Sequence, residues 1–228
     1  MTIATYQSKR IGPVTININN NGVTISSERL ELKSLNQGNQ SYLITQYKLL
    51  LGSLENTKLF GEGNVWSEKA VEEFVLSAIA CWNRKETFGV FAVYDKQTKT
   101  FLGSLSVSQA LDDFAHIGTG HRNAAEIGYI IDKQFGGKGY GTEIAILGKK
   151  YIKHFNAETK QTLQNNIKEI VATVHPLNEG SKKILQKTLK HQEPQEFKKF
   201  GDKPRILFFK PLKAPLESSN FSNKIINP

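Results

Sequence analysis

The residues with the clearest chemical potential lie between Ala125 and Gly141, in the stretch AEIGYIIDKQFGGKGYG. Gly136, Gly137, Gly139 and Gly141 carry no Cβ, so the main chain there can turn tightly and come close to a ligand. A helical pattern runs behind them from Thr142 to Phe155, and the first N–H groups of such a helix have no partner inside it. Turn and helix start together suit an anion, above all a phosphate. Two common phosphate motifs do not fit. A P-loop needs Ser or Thr after the lysine that follows its last glycine, whereas Lys138 is followed by Gly139. The dinucleotide fingerprint is GxGxxG on an alternating parallel fold. Gly137, Gly139 and Gly141 read GxGxG, the elements around them are ordered differently, and Glu158 as a lone ribose ligand does not repair the mismatch.

The segment before the turn alternates. Ile127, Tyr129 and Ile131 fall on one face of a strand, and Glu126, Gly128, Ile130 and Asp132 on the other. A strand carboxylate such as Glu126 can take a proton directly or through water; an exposed or salt-bridged carboxylate is the competing role. The polar loop from Asp112 to Ala124 adds Asp112, Asp113, His116 and His121. Its histidines lack metal-ligand spacing, so no metal is expected.

Several elements must position these groups. VTINI, NNNG and VTI within residues 1–26 read as a hairpin with Asn21-Gly22 as its turn signal, forming an N-terminal extension placed as an added edge strand or a subunit contact. ERLELKSL, 28–35, reads as the first core strand. Tyr42, Leu43, Tyr47, Leu50 and Leu51 give a helix over 39–51. Ser67 suits the N-cap of the next helix, whose stripe is Val71, Phe74, Val75, Ala78, Ile79 and Trp82. Residues 88–94 and 101–107 form a hairpin. Ile144, Leu147, Tyr151, Ile152 and Phe155 are the buried stripe of the helix behind the glycines. Ile170 to Val174 is a buried central strand, a helix follows Asn178, and a last strand spans Arg205 to Leu212. The Ser-, Asn- and Pro-rich stretch 213–228 is expected to be a loose tail. The predicted fold class is α/β of the α+β type: one domain over 27–212, with a mixed, mostly antiparallel sheet flanked by helices on both faces.

Lys and Arg number 30 against 21 Asp and Glu, a formal charge of +9 that favours an anionic partner. The late basic residues, among them Lys182, Lys183, Lys198 and Lys199, are too dispersed for a nucleic-acid motif. The single cysteine, Cys81, sits in an apolar helical pattern as a small buried hydrophobe. No internal disulfide can form, which points to a reducing compartment. No transmembrane-length segment is present and MTIATYQSKR lacks a signal-like apolar core. A cytoplasmic protein without a membrane partner, monomeric or homodimeric, is expected.

Gln134-x-x-Gly137-x-Gly139 resembles the Q/R-x-x-G-x-G/A signature of the GNAT acyl-CoA-dependent N-acetyltransferases. ERLELKSL, FGVFAVYDKQTKTFLGSLSV, AEIGYIIDKQFGGKGYGTE and ATVHPLNEGSKKILQK occur in the order and spacing of that family, over roughly residues 27–212. They look most like its ribosomal-protein N-terminal acetyltransferase (RimJ/RimL-like) branch. The resemblance implies the GNAT fold and acetyl-CoA as co-substrate. It implies that the main chain of Gly137, Lys138, Gly139, Tyr140 and Gly141 holds the pyrophosphate. It further implies that the pantetheine arm pairs near Ile130 and Ile131, where a strand N–H serves the oxyanion, and that Asn178 bonds this arm. Asn178 also suits a helix N-cap. Glu126 matches the acidic position expected to deprotonate the amine. Many relatives place a tyrosine acid near Leu185; here Ser181, which matches the NxxS form, stands for it, or is only a first-turn residue. Acceptor choice would fall to Phe60, Glu62, Trp66 and the Asp112–His121 loop. The acceptor would be a protein N-terminus or a small-molecule amine, attacking the thioester directly. The competing functions are a non-catalytic acyl-CoA-binding regulatory module on the same fold and a basic nucleic-acid-binding protein.

Overall fold

The computed structural model describes residues 2–110, 123–158, 167–189 and 195–212. Ten strands form one sheet: β1 (Thr2–Ser8), β2 (Gly12–Asn19), β3 (Gly22–Ser26), β4 (Leu30–Ser34), β5 (Val90–Asp95), β6 (Phe101–Gln109), β7 (Ala124–Ile131), β8 (Glu169–Val174), β9 (Gln195–Lys199) and β10 (Lys203–Pro211). Their spatial order is β1-β2-β3-β4-β5-β6-β7-β8-β10-β9. Every pairing is antiparallel except β7 with β8. The mixed, mostly antiparallel sheet read from the sequence is therefore present. The N-terminal hairpin is β2–β3, with Asn20 and Asn21 at its tip between the paired Asn19 and Gly22. It joins the sheet through β3 and β4. β1, β9 and the short helix α2 (Leu54–Thr57) were not anticipated. All three are short or mostly polar, and their burial comes from neighbours rather than from their own periodicity.

Alternation sets the strands. Leu30 and Leu32 of β4 are buried while Glu31 and Lys33 are not. The helices follow their stripes and caps. α1 (Gln40–Leu51) begins where Asn39 Oδ1 accepts from Tyr42 N at 2.9 Å, and α3 (Glu68–Asn83) where Ser67 Oγ accepts from Ala70 N at 3.2 Å. α3 buries Val71, Val75, Ala78 and Trp82; each fully buried valine contributes about 1.5–3 kcal/mol. On α1, Tyr47 hydroxyl meets Ser104 Oγ at 2.8 Å, so α1 covers the Ser104 face of the sheet. α4 (Tyr140–Glu158) lies on the opposite face, with Leu105 and Ile127 against it at Gly148. α5 (Glu179–Leu189) packs beside α4. Among the described residues no helix is long and apolar enough to cross a membrane.

One break in this sheet matters for function. β6 pairs with β7 along its length, from Gly103↔Ile131 to Gln109↔Ala125. β8 pairs with β7 only at Ala124↔Glu169, Ala125↔Ile170 and Glu126↔Val171. Beyond Glu126 the two strands part, while β8 stays paired with β10 through Val174↔Ile206. The far edge of β7 is thus open from Ile127 to Ile131.

Candidate active site

The direction of the open groups follows from neighbouring bonds. Asp132 N donates to Leu102 O at 2.9 Å and Ala110 N to Ala124 O at 2.8 Å, so even-numbered residues of β7 turn their polar groups towards β6. Lys168 N donates to Asn123 O at 2.8 Å, so odd-numbered residues face the β8 side. Strand alternation then leaves Ile127, Tyr129 and Ile131 facing the opening. Ile131, one of the two residues expected to pair with the pantetheine arm, faces the opening. Ile130 is spent on β6, and its side chain is buried; Tyr129 takes its place on the free edge.

The opening leads to the glycine turn. After β7, Asp132 Oδ1 accepts from Gln134 N at 3.0 Å and shapes a single 3-10 turn over Lys133–Phe135. Gly137 (φ 76°) and Gly139 (φ 82°) then adopt left-handed backbone that side chains disfavour. A Cβ on Gly141 would lie 2.7 Å from Ile184 Cδ1, so α4 starts tight against α5. Gly136, Gly137, Gly139, Gly141 and Ile131 border a groove of about 400 Å³ that also reaches Asn178 and Ser181. The side chains of Gln134 and Lys138 stay outside it. Gln134 borders a separate surface hollow with Asn56, and Lys138 Nζ sits 5.6 Å from the centre of the Phe135 ring.

The loop is held from behind by residues that the sequence reading did not single out. Glu143, buried in the first turn of α4, accepts from Ser27 Oγ at 2.5 Å and from Arg29 Nε at 2.9 Å; Arg29 Nη2 also donates to it. Arg29 Nη1 donates to Lys138 O at 3.1 Å, and the guanidinium lies 4.9 Å from the centre of the Tyr140 ring. Tyr140 hydroxyl donates to Asp95 Oδ2 at 3.1 Å. More than a hundred residues separate Arg29 from Glu143, so no local spacing marks the pair; only a glutamate among the apolar residues of a helix start hints at it.

A second pocket, about 220 Å³, continues from the groove past the end of the β7–β8 pairing. Asn178, Ser181, Tyr129, Phe60 and Leu59 belong to both. Glu126 enters from the α1 face. Its Oε1 accepts from Thr173 Oγ1 at 3.1 Å and its Oε2 from Lys199 Nζ at 2.7 Å. Ser181 enters from the α4–α5 side, with its Oγ 2.9 Å from the Tyr129 hydroxyl. Burial pushes the Tyr129 phenol up to about 12, against a smaller lowering by the Ser181 hydrogen bond. Asn178 caps α5: Oδ1 accepts from Ser181 N at 3.0 Å. Its amide N–H groups remain for the groove, so capping and ligand binding use different atoms. Leu185, at the position where relatives are expected to place a tyrosine, is buried in the pocket wall; the phenol that lines this pocket is that of Tyr129, on the strand. Burial, and then the charge of Arg205, hold the His175 imidazole below its ordinary value.

Phe60 and Trp66 line a third, mostly apolar pocket of about 160 Å³ with Gly128, Ile130 and Phe200. Glu62 is exposed and offers its backbone carbonyl to Lys203 Nζ at 2.5 Å. Asp112, Asp113, His116 and His121 lie outside the described residues. Among the described residues no group of His, Cys, Asp and Glu is arranged to hold a metal.

Residues 48–188 match the family described as the acetyltransferase (GNAT) domain, well over half of the chain. The chain belongs to the GNAT acetyltransferase family. GNAT structures resemble it at the level of the fold. A GNAT-family acetyltransferase from Bacillus anthracis aligns with a TM-score of 0.61 at 18% identity, covering 82% of this chain and 98% of that one. RimL, a ribosomal L7/L12 α-N-protein acetyltransferase in complex with coenzyme A, aligns with a TM-score of 0.56 at 18% identity over 82% and 96%. A ribosomal-protein-S5-alanine acetyltransferase from Vibrio fischeri aligns with a TM-score of 0.55 at 19% identity over 82% and 96%. As a GNAT acetyltransferase the chain is an enzyme of the acyltransferase class. The resemblance drawn from its motifs agrees with the family match.

Proposed function

We propose that this GNAT protein transfers the acetyl group of acetyl-CoA to a primary amine by direct attack on the thioester. The observation that carries the reading is the parting of β7 from β8 after Glu126, directly before a glycine turn at the start of α4. The N–H groups of Gly137 to Gly141 would receive the pyrophosphate, where left-handed glycines close the main chain around an anion. The polar groups of Tyr129 and Ile131 would pair with the amides of the pantetheine arm as an added strand, and Asn178 would bond the arm from the far side. The same open edge supplies an N–H for the oxyanion of the attacked carbonyl.

Glu126 would take the proton that an ammonium must lose before its nitrogen can attack. Its two oxygens each accept one bond, and a carboxylate has about four lone-pair sites, so capacity for the amine remains. On the other side Ser181 and Tyr129 meet the departing sulfur. A phenol near 12 facing a thiol whose ordinary value is about 8.5 would give up its proton only at a cost of roughly 5 kcal/mol. Tyr129 therefore orients the Ser181 hydroxyl, which stabilises the thiolate by a hydrogen bond, and the proton comes from water. The C–N bond forms, the C–S bond breaks, and the nitrogen's second proton is lost to solvent as the amide is made.

The test has two readouts. Acetyl-CoA should raise the melting temperature, and Gly139→Asp should abolish the rise by placing a side chain and a charge at a left-handed turn. Free thiol should then appear with a suitable amine and fall about a hundredfold or more in Glu126→Gln. A protein that binds acetyl-CoA but releases no thiol with any amine would be a binding module instead, and one showing no thermal shift at millimolar acetyl-CoA would contradict the whole reading.

A further inference from the structure

We infer that the acceptor is a small amine carrying its own anionic group, a carboxylate or a phosphate, which Arg205 receives. This rests on the acetyl-transfer reading of the site. Among the described residues that line the pocket beyond the cofactor groove, Glu126 is the sole carboxylate, and it faces two cations, Lys199 and Arg205. Lys199 already lies 2.7 Å from Glu126. Arg205 is 4% exposed and has no carboxylate partner among the described residues. Its Nη1 donates to Pro204 O at 2.7 Å, its Nη2 donates to Gly61 O, and the Phe200 ring lies 5.2 Å away. These neutral partners orient the guanidinium without cancelling its charge, and a buried charge is costly until it is paired. Its field is felt across the pocket, where it helps to depress the His175 imidazole.

The register places these groups together. β9 and β10 pair Lys199 with Lys203 and Phe197 with Arg205, so Lys199 and Arg205 are diagonal neighbours on one face. Phe200 lies under both, 5.3 Å from Lys199 Nζ. A polyamine would add positive charge to a pocket whose described lining holds two cations and one carboxylate. An amine with a nearby anion instead presents its ammonium to Glu126 and its anion to Arg205. A guanidinium has five N–H donors in a rigid fork, and with two nitrogens on carbonyls it retains donors for a carboxylate or phosphate oxygen. The pocket volume, about 220 Å³, is below the usual range for drug-sized ligands, so the part of the acceptor seated between Glu126 and Arg205 is small.

The test titrates the full-length protein, with coenzyme A present, against L-glutamate, O-phosphoethanolamine, ethanolamine and spermidine, and follows thiol release from acetyl-CoA with each. At least one anionic amine should bind, and be turned over, tenfold or more better than ethanolamine or spermidine; whether glutamate or phosphoethanolamine leads names the anion. Arg205→Gln keeps an N–H donor for Gly61 O but no charge. It should weaken the anionic amine tenfold or more while leaving ethanolamine and acetyl-CoA within about twofold, and Arg205→Lys should recover part of the loss. A preference for spermidine, a preference for a peptide N-terminus over every small amine, no binding of either anionic probe at millimolar concentration, or an equal loss for charged and neutral amines in Arg205→Gln would each overturn the inference. If acetyl-CoA itself does not bind, the acetyl-transfer reading fails, and titration of the anionic amines into wild type and Arg205→Gln still decides whether Arg205 receives an anion.

Discussion

Replacing Arg29 by Met tests how the glycine loop is held. Glu143 is buried with Ser27 and Arg29 as its partners, and Arg29 also carries the Lys138 carbonyl and covers Tyr140. Removing one partner of a fully buried pair costs about 3–5 kcal/mol. The Arg29 side chain is 49% exposed, so solvent screens part of that, and the favourable field at the start of α4 steadies the remaining carboxylate. A loss of roughly 2 kcal/mol is expected, which for a domain of this size lowers the melting temperature by roughly 4–8 °C. Glu143→Gln keeps the shape and one acceptor and should cost less. Because the two side chains share one interaction, the double variant should be more stable than the sum of the singles implies, by about 1 kcal/mol. Freed from Arg29, the Lys138 carbonyl should also let the loop relax, weakening coenzyme A about tenfold. Urea denaturation of the four proteins measures the cycle and titration calorimetry the affinity. Strict additivity, or Arg29→Met melting within 1 °C of wild type (on the order of a few tenths of a kcal/mol), would refute the idea that this pair braces the loop.

Three further outcomes follow from the geometry. Tyr129→Phe removes the hydroxyl that orients Ser181; kcat should fall about three- to thirtyfold with coenzyme A affinity unchanged, and Tyr129→Phe/Ser181→Ala should be no worse than Ser181→Ala in steady-state kinetics. Gly139→Ala, at φ 82°, should cost roughly 1–2 kcal/mol of stability and weaken coenzyme A, whereas Lys138→Ala should do little to either, since that side chain lies outside the groove. Lys149, on α4, donates to Thr188 O at 2.5 Å, and burial with nearby cations holds its ammonium down at about 8. The unfolded chain then binds more protons than the folded one between about pH 8 and the ordinary lysine value near 10.4, so this group's penalty fades as pH rises through that window. Lys149→Met should be more stable than wild type at pH 7, and the difference should shrink towards pH 10 in denaturation curves.

Much of this was legible in the chain because it is written locally. The cap Ser67, the stripe from Val71 to Trp82 and the alternation around Leu30 and Leu32 each act within a few residues, and each forms its element as read. The glycine turn was readable for the same reason: left-handed backbone at Gly137 and Gly139 demands that residue type. What escaped was non-local. Whether Ile130 or its neighbours face the opening depends on which edge β6 occupies, which alternation alone cannot say. The ion pair between Glu126 and Lys199 needs β9, a short polar strand whose place beside β10 comes from pairing rather than from its own pattern. Tyr129 reads as one residue of an apolar strand face until α5 brings Ser181 to its hydroxyl.

Amide hydrogen exchange with and without coenzyme A reports residue by residue on whether the cofactor occupies the open edge of β7 and the glycine turn. Slowing on binding should be concentrated at the N–H groups of Tyr129 and Ile131 and at Gly137 to Gly141, with Ile130 and the β4–β5 pairing unchanged. Protection that falls elsewhere on the sheet, or no change in the glycine turn at saturating coenzyme A, would contradict that placement of the cofactor.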